Sequence, residues 1–185
     1  MLDVGCVVVG LDHRARAAVQ AAMRRLAETG DTRSKEGLSR MLAGAIDELL
    51  SVRASWTHGH AERSSLPPAD AQRVFGELAH RARSRFDVEV IRAEQGSVLR
   101  QAAPALPDSD EPGVVLVTLL VASKHALAIS SGDTRDALAS ALGALRIGAD
   151  ALVAIEVVWS PAEERDRVSA SAIERRHPEI RRLPA

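Results

Sequence analysis

The sequence predicts an α+β fold: an antiparallel four-stranded sheet with helices packed on it, in ferredoxin-like β-α-β-β-α-β order with an enlarged first helical crossover. Three observations predict it. Apolar runs at Val4–Leu11, Val114–Ala122, Ala126–Ile129 and Leu152–Trp159 have strand length and strand composition. Apolar residues recur every three or four positions between residues 13 and 95, which is helical spacing. A second, shorter helical pattern separates the last two runs.

The first strand is Val4 to Leu11, rich in β-branched valine. Asp12-His13 leads into a helix whose stripe is Ala15, Ala18, Val19, Ala22, Met23 and Leu26, broken by Gly30. Asp31-Thr32-Arg33-Ser34 supplies N-cap candidates for the next helix. That helix carries Leu38, Met41, Leu42, Ala45, Ile46, Leu49 and Leu50, one wide apolar face. Ser55 to Pro68 reads as a connector. A long helix is expected from about Ala69 to Glu94 on the stripe Phe75, Leu78, Ala82, Phe86 and Val90, although Val88, Val90 and Ile91 would also suit a strand. Pro104 to Gly113 reads as a loop.

Val114 to Val121 is interrupted only by Thr118, so this strand is expected inside the sheet or covered on both faces. Ser123-Lys124-His125 is expected to turn a hairpin into Ala126–Ile129. Asp133 is the expected cap of a helix bearing Ala137, Leu138, Ala141, Leu142 and Leu145, with Gly148 ending it. Leu152–Trp159 is the last strand, closed by Pro161, and a tail helix follows near Ser169–His177. The 185 residues are expected to form one domain, helical over about 13–95 and sheet-forming over about 113–161.

Composition narrows the function classes. A net charge of −1 gives no whole-chain field toward nucleic acid or an anionic membrane. Lys35 and Lys124 are the only lysines among 24 basic residues, a bias that genome composition explains as readily as ligand binding. Cys6, the single cysteine, excludes an intramolecular disulfide and reads as a buried inert thiol. No run reaches the roughly 18 apolar residues of a membrane span. Asp3 stands where a signal peptide would carry positive charge. The expected location is therefore cytoplasmic, or peripheral to a membrane, without direct membrane insertion. No phosphate loop, dinucleotide fingerprint, nucleophile elbow or zinc-protease motif is present, nor a basic patch interleaved with aromatics.

The candidate residues are few. His58-Gly59-His60 offers two imidazoles, but zinc needs three or four ligands, so the stretch reads as a solvated loop and no metal or other cofactor is expected. Glu156 sits inside the apolar run ALVAIEVVW, where burial would raise its pKa and an edge position would leave it solvated. Trp159 ends that run and reads as a packing residue with a polar N–H to satisfy. Arg73, Arg81, Arg83 and Arg85 would reach phosphate only if they shared a helix face, and their spacing spreads them around the axis.

Several stretches together resemble the DUF1517 domain family of bacteria and chloroplasts. They are DTRSKEGLSRMLAGAIDELL with Trp56, then FGELAHRARSRFDVE, VVLVTLLVAS and ALVAIEVVWSPAEERD, ending in HPEI. The most specific is the VTLLVA run paired with Glu156, Val157, Trp159, Ser160 and Pro161. The chain departs from the family at ARSRF, with Ala82 for an acid and Arg85 for lysine. The resemblance implies a soluble domain, in relatives often appended to a membrane-anchored chain, and implies no catalytic residue. The resulting expectation is a non-enzymatic interaction or regulatory module, with a protein partner or self-association. The alternative is a small-ligand binder or enzyme with a site near Glu156, Arg85 and Trp159.

Overall fold

A computed structural model describes residues 1–84, 92–94, 97–99, 113–160 and 169–184. The elements run β1 (Leu2–Asp12), α1 (His13–Thr29), α2 (Lys35–Ser51), a 3₁₀ turn (Arg53–Ser55), β2 (Trp56–Leu66), α3 (Pro68–Ser84), β3 (Arg92–Glu94), β4 (Ser97–Leu99), β5 (Val114–Ser123), α4 (Arg135–Ala144), β6 (Leu152–Ser160), α5 (Ala170–Arg176) and β7 (Arg181–Arg182). Five strands form the main sheet in the order β6-β5-β1-β2-β7, every neighbouring pair antiparallel. β3 and β4 form a separate two-stranded pair.

The fold is α+β with an antiparallel sheet, as the runs predict, but it has five strands rather than four and a different order. β5 lies between β1 and β6, and all ten of its residues are buried, because helices cover both faces. Period two in the strands separates two cores. Val7, Val9 and Leu11 of β1 meet Val115, Val117, Leu119 and Val121 of β5 beneath α1, α2 and α4. Val4, Cys6 and Val8 meet Leu116 and Leu120 beneath α3 and α5.

Two expected elements are absent. Ala126–Ile129 is not a strand, and Ser123-Lys124-His125 is not a hairpin tip. The Leu127 amide donates instead to Asp3 Oδ2 at 2.8 Å, and Leu127 and Ile129 insert as plugs into the larger core. Gly5 makes room for them, since a Cβ there would come within 2.8 Å of both side chains. The expected connector at Ser55–Pro68 is in fact β2, eleven residues paired along β1. Its apolar pattern is weak because His58, Gly59 and His60 occupy its first half, although Trp56 and His58 are buried and the strand pairs along β1.

The helices follow their stripes. α1 buries Ala15, Val19, Ala22 and Met23, and Asp12 accepts from the Arg14 amide. α2 buries Leu42, Ala45, Ile46 and Leu49 and is capped by Ser34. α4 buries Leu138, Ala141 and Leu142, but its cap is Thr134, one residue beyond the expected Asp133, and it ends at Ala144. The tail helix is α5, capped by Ser169. α3 spans Pro68–Ser84 among the described residues, and Arg92–Glu94 is strand rather than helix. Arg85, Phe86, Val88, Val90, Ile91 and Pro161 lie outside the described residues, as does the expected loop up to residue 112.

Candidate functional site

β6 is a terminal strand of the sheet, paired only with β5 among the described residues. Glu156 lies opposite Leu120, on the face covered by α3. Arg83 in the last turn of α3 grips it: Nε donates to Oε1 at 2.7 Å and the terminal nitrogen to Oε2 at 2.5 Å. Two parallel charge-assisted bonds fix both side chains. The local reason is helical spacing. Ala82 packs down on the core, so Arg81 and Arg83 splay to either side of the helix. Arg81 approaches Glu62 of β2 at 3.9 Å while Arg83 takes Glu156 of β6. The end of α3 thus straddles the sheet, tied to a carboxylate on each side.

Trp159 lies opposite Val117 on the other face, half-buried against the larger core. Its separation of three residues from Glu156 is odd, and a strand sends odd separations to opposite faces. Glu156 and Trp159 therefore do not line one shared site. Trp159 Nε1 is buried, and no acceptor reaches it among the described residues. Arg85 falls outside those residues; its neighbour Arg83 holds Glu156.

The His58-Gly59-His60 stretch is strand rather than solvated loop. His58 is only 1% exposed and fills the space left by Gly10, where a Cβ would come within 2.8 Å of the His58 Cβ. His58 Nδ1 lies 2.9 Å from Thr57 Oγ1, and Nε2 lies 3.4 Å from Glu174 Oε1 on α5. Burial pushes its pKa down, the Glu174 carboxylate opposes that shift, and the Arg182 guanidinium adds to it. The ring is therefore neutral at neutral pH, with Nε2–H facing the carboxylate. His60, on the same face of β2, lies 3.4 Å from Glu62. Among the described residues no three His, Cys, Asp or Glu side chains are placed to hold a metal ion. Alternation of small and polar residues in WTHGHAERSSL was the available signal for this row, and a pattern search for apolar residues passes over it.

What β6 offers is its edge. Of the large apolar side chains among the described residues, only Met1 and Val153 are exposed, and Val153, at 42%, is on β6. Ala154 to Trp159 are half-buried. Leu152 to Trp159 holds no proline and no lysine and its one charge is drawn onto Arg83, but the β5–β6 register shifts at Val153, a bulge at the start of the strand. Edge strands usually carry prolines, lysines, exposed charges or bulges to block pairing with another chain.

No helix among the described residues is long and apolar enough to cross a membrane. The chain is 30% identical over 190 residues to Protein FLAP1 homolog A of Synechocystis sp., covering 97% of this chain and 56% of that protein. It is 28% identical over 191 residues to FLUCTUATING-LIGHT-ACCLIMATION protein 1, chloroplastic, of Arabidopsis thaliana, covering 98% of this chain and 46% of that protein. The chain thus spans about half the length of these curated relatives. No solved structure matches it. The family model described as "Protein of unknown function (DUF1517)" matches residues 1–183, and the chain belongs to that family.

Proposed function

We propose that this domain is a non-catalytic protein-interaction module whose docking surface is the outer edge of β6. The observation that carries the reading is the strand itself: nine residues at the end of the sheet, its single carboxylate turned onto Arg83, with Val153 exposed where the register with β5 shifts. Backbone groups along such an edge can extend the sheet into a partner's strand, and alternate side chains add specificity. The plant relative is named for fluctuating-light acclimation, which is compatible with a regulatory role. A ligand site uniting Glu156 with Trp159 is disfavoured because the two side chains occupy opposite faces.

The test is photo-crosslinking in cells that express the protein. A photoreactive residue at Val153 is expected to capture polypeptide. The same residue at Gly76, on α3 with open space around it, serves as the control and is expected to capture little. Equal yields at the two positions would contradict the reading.

A further inference from the structure

We propose that residues 169–184 are a strap, closed over the edge of β2 while His58 is neutral, that opens locally when His58 takes up a proton. This end of the sheet is opposite β6 and independent of its edge. The strap wraps the β2 edge from one face of the sheet to the other. Ser169 bridges to Gly113 beside β5, Ile173 and Ile180 sit in the smaller core, and Leu183 reaches the larger one. Its hold on β2 is short. Arg181 and Arg182 pair with Gly59 and His58, the Leu183 amide donates to the Thr57 carbonyl at 2.9 Å, and Arg135 of α4 donates to the Pro184 carbonyl. A two-residue strand and the buried side chains of Ile173, Ile180 and Leu183 anchor far less than the ladder between β1 and the ten residues of β5. The strap can therefore open while the sheet stays closed.

What the strap covers is polar. It supplies two charged groups that face the buried His58 ring: Glu174, with Oε1 3.4 Å from Nε2, and Arg182, whose Nε lies 3.6 Å from the same oxygen. On β2 itself His60 lies 3.4 Å from Glu62, which Arg81 of α3 approaches at 3.9 Å. Gly10 of β1, against His58, and Leu116 of β5, against Gly10, carry no charge. A proton on the buried ring loses water and faces Arg182, and it gains Glu174. The Glu174 side chain is 46% exposed, so solvent weakens that gain. Burial wins, and the closed ring resists protonation. Opening removes the strap's share of that burial. The open form therefore binds the proton first as pH falls below the ordinary 6.5, and the balance shifts toward it by at most about tenfold per pH unit.

Amide exchange of the full chain, corrected for the intrinsic rate, tests this between neutrality and about pH 5.5. Opening at the Leu183 amide, which donates to Thr57, is expected to rise several-fold, while Val117 and Leu119 of β5 change much less. His58→Gln should abolish the rise, and His177→Gln, at the histidine of the strap itself, should keep it. Glu174→Gln removes the attraction that opposes opening, so there the rise should be larger. That variant decides the matter if His58→Gln already leaves the strap open at neutrality. An equal rise at Leu183 and Val117 would mean global unfolding and would overturn the proposal. So would no rise in the wild-type chain, a rise that survives His58→Gln, or a rise in Glu174→Gln no larger than in the wild type.

Discussion

Arg83 holds Glu156 through two parallel N–H···O bonds, and this pair joins the end of α3 to the terminal strand of the sheet. Glu156 is 17% exposed in its side chain, whereas Arg83 is more than half exposed. Solvent on the arginine side weakens the attraction, so a double-mutant cycle of Arg83→Ala and Glu156→Gln is expected to give a coupling of about 1 kcal/mol. A coupling near zero in denaturant melts would mean the pair does not anchor the edge.

The two tryptophans should separate in a stability measurement. Trp56 is fully buried, and its Nε1 donates to the Leu49 carbonyl at 3.0 Å. Trp56→Ala is expected to cost about 3–5 kcal/mol, as for a large core side chain. Trp159→Ala removes a half-buried ring and should cost roughly half as much. Equal losses would contradict the placement of Trp159 at the margin of the core.

Protons should act on stability through His58 and Asp3 in different ranges. His58 has a folded pKa below its ordinary 6.5, so the unfolded chain takes up the proton first as pH falls. Stability is therefore highest above that value and declines below it, by at most about 1.4 kcal/mol per pH unit for one proton. His58→Gln should flatten this part of the profile. Burial raises the Asp3 pKa, but the Leu127 amide, the Ser65 hydroxyl and Arg63 together outweigh it and leave it below its ordinary 3.8. Its contribution persists above that value and fades only in stronger acid. A profile unchanged by His58→Gln between neutrality and pH 5 would contradict the buried neutral ring.

Asp3 also decides the path of residues 126–129. Asp3→Asn removes a carboxylate that accepts from both Leu127 N at 2.8 Å and Arg63 Nε at 2.7 Å, and should cost about 1–3 kcal/mol. Gly5→Ala, which pushes a methyl into Leu127 and Ile129, should cost a similar amount by overpacking. Amide exchange at Leu127 should rise in the first variant. An unchanged rate would show that packing alone holds the segment.

These residues also explain what could be read from the sequence. β5 was legible because a strand covered on both faces needs an unbroken apolar run, and Val114–Val121 supplies one save for Thr118. The stripes of α1, α2 and α4 were legible because each helix packs one face on the sheet. β2 was not, since His58, Gly59 and His60 fit it through space left by Gly10 and through pairing with β1, both long-range effects. Residues 126–129 have strand composition, yet Asp3, more than a hundred positions away, takes the Leu127 amide. For the site, Glu156 stood out in the sequence as a lone carboxylate in an apolar run, expected to be solvated at an edge; it lies on the terminal strand but is mostly buried and held by Arg83, with Trp159 on the opposite face. Strand parity alone separates residues 156 and 159.

The account rests on an open β6 edge, and amide exchange along Ala154 to Trp159 tests it most directly. In a dilute sample, alternate amides of β6 point to β5 and should be protected, while the intervening ones face water and should exchange fast. Raising the protein concentration or adding the binding partner should protect the fast set without changing the slow one. Uniform protection of every β6 amide in the dilute chain would show that the edge is already covered, and would contradict the account.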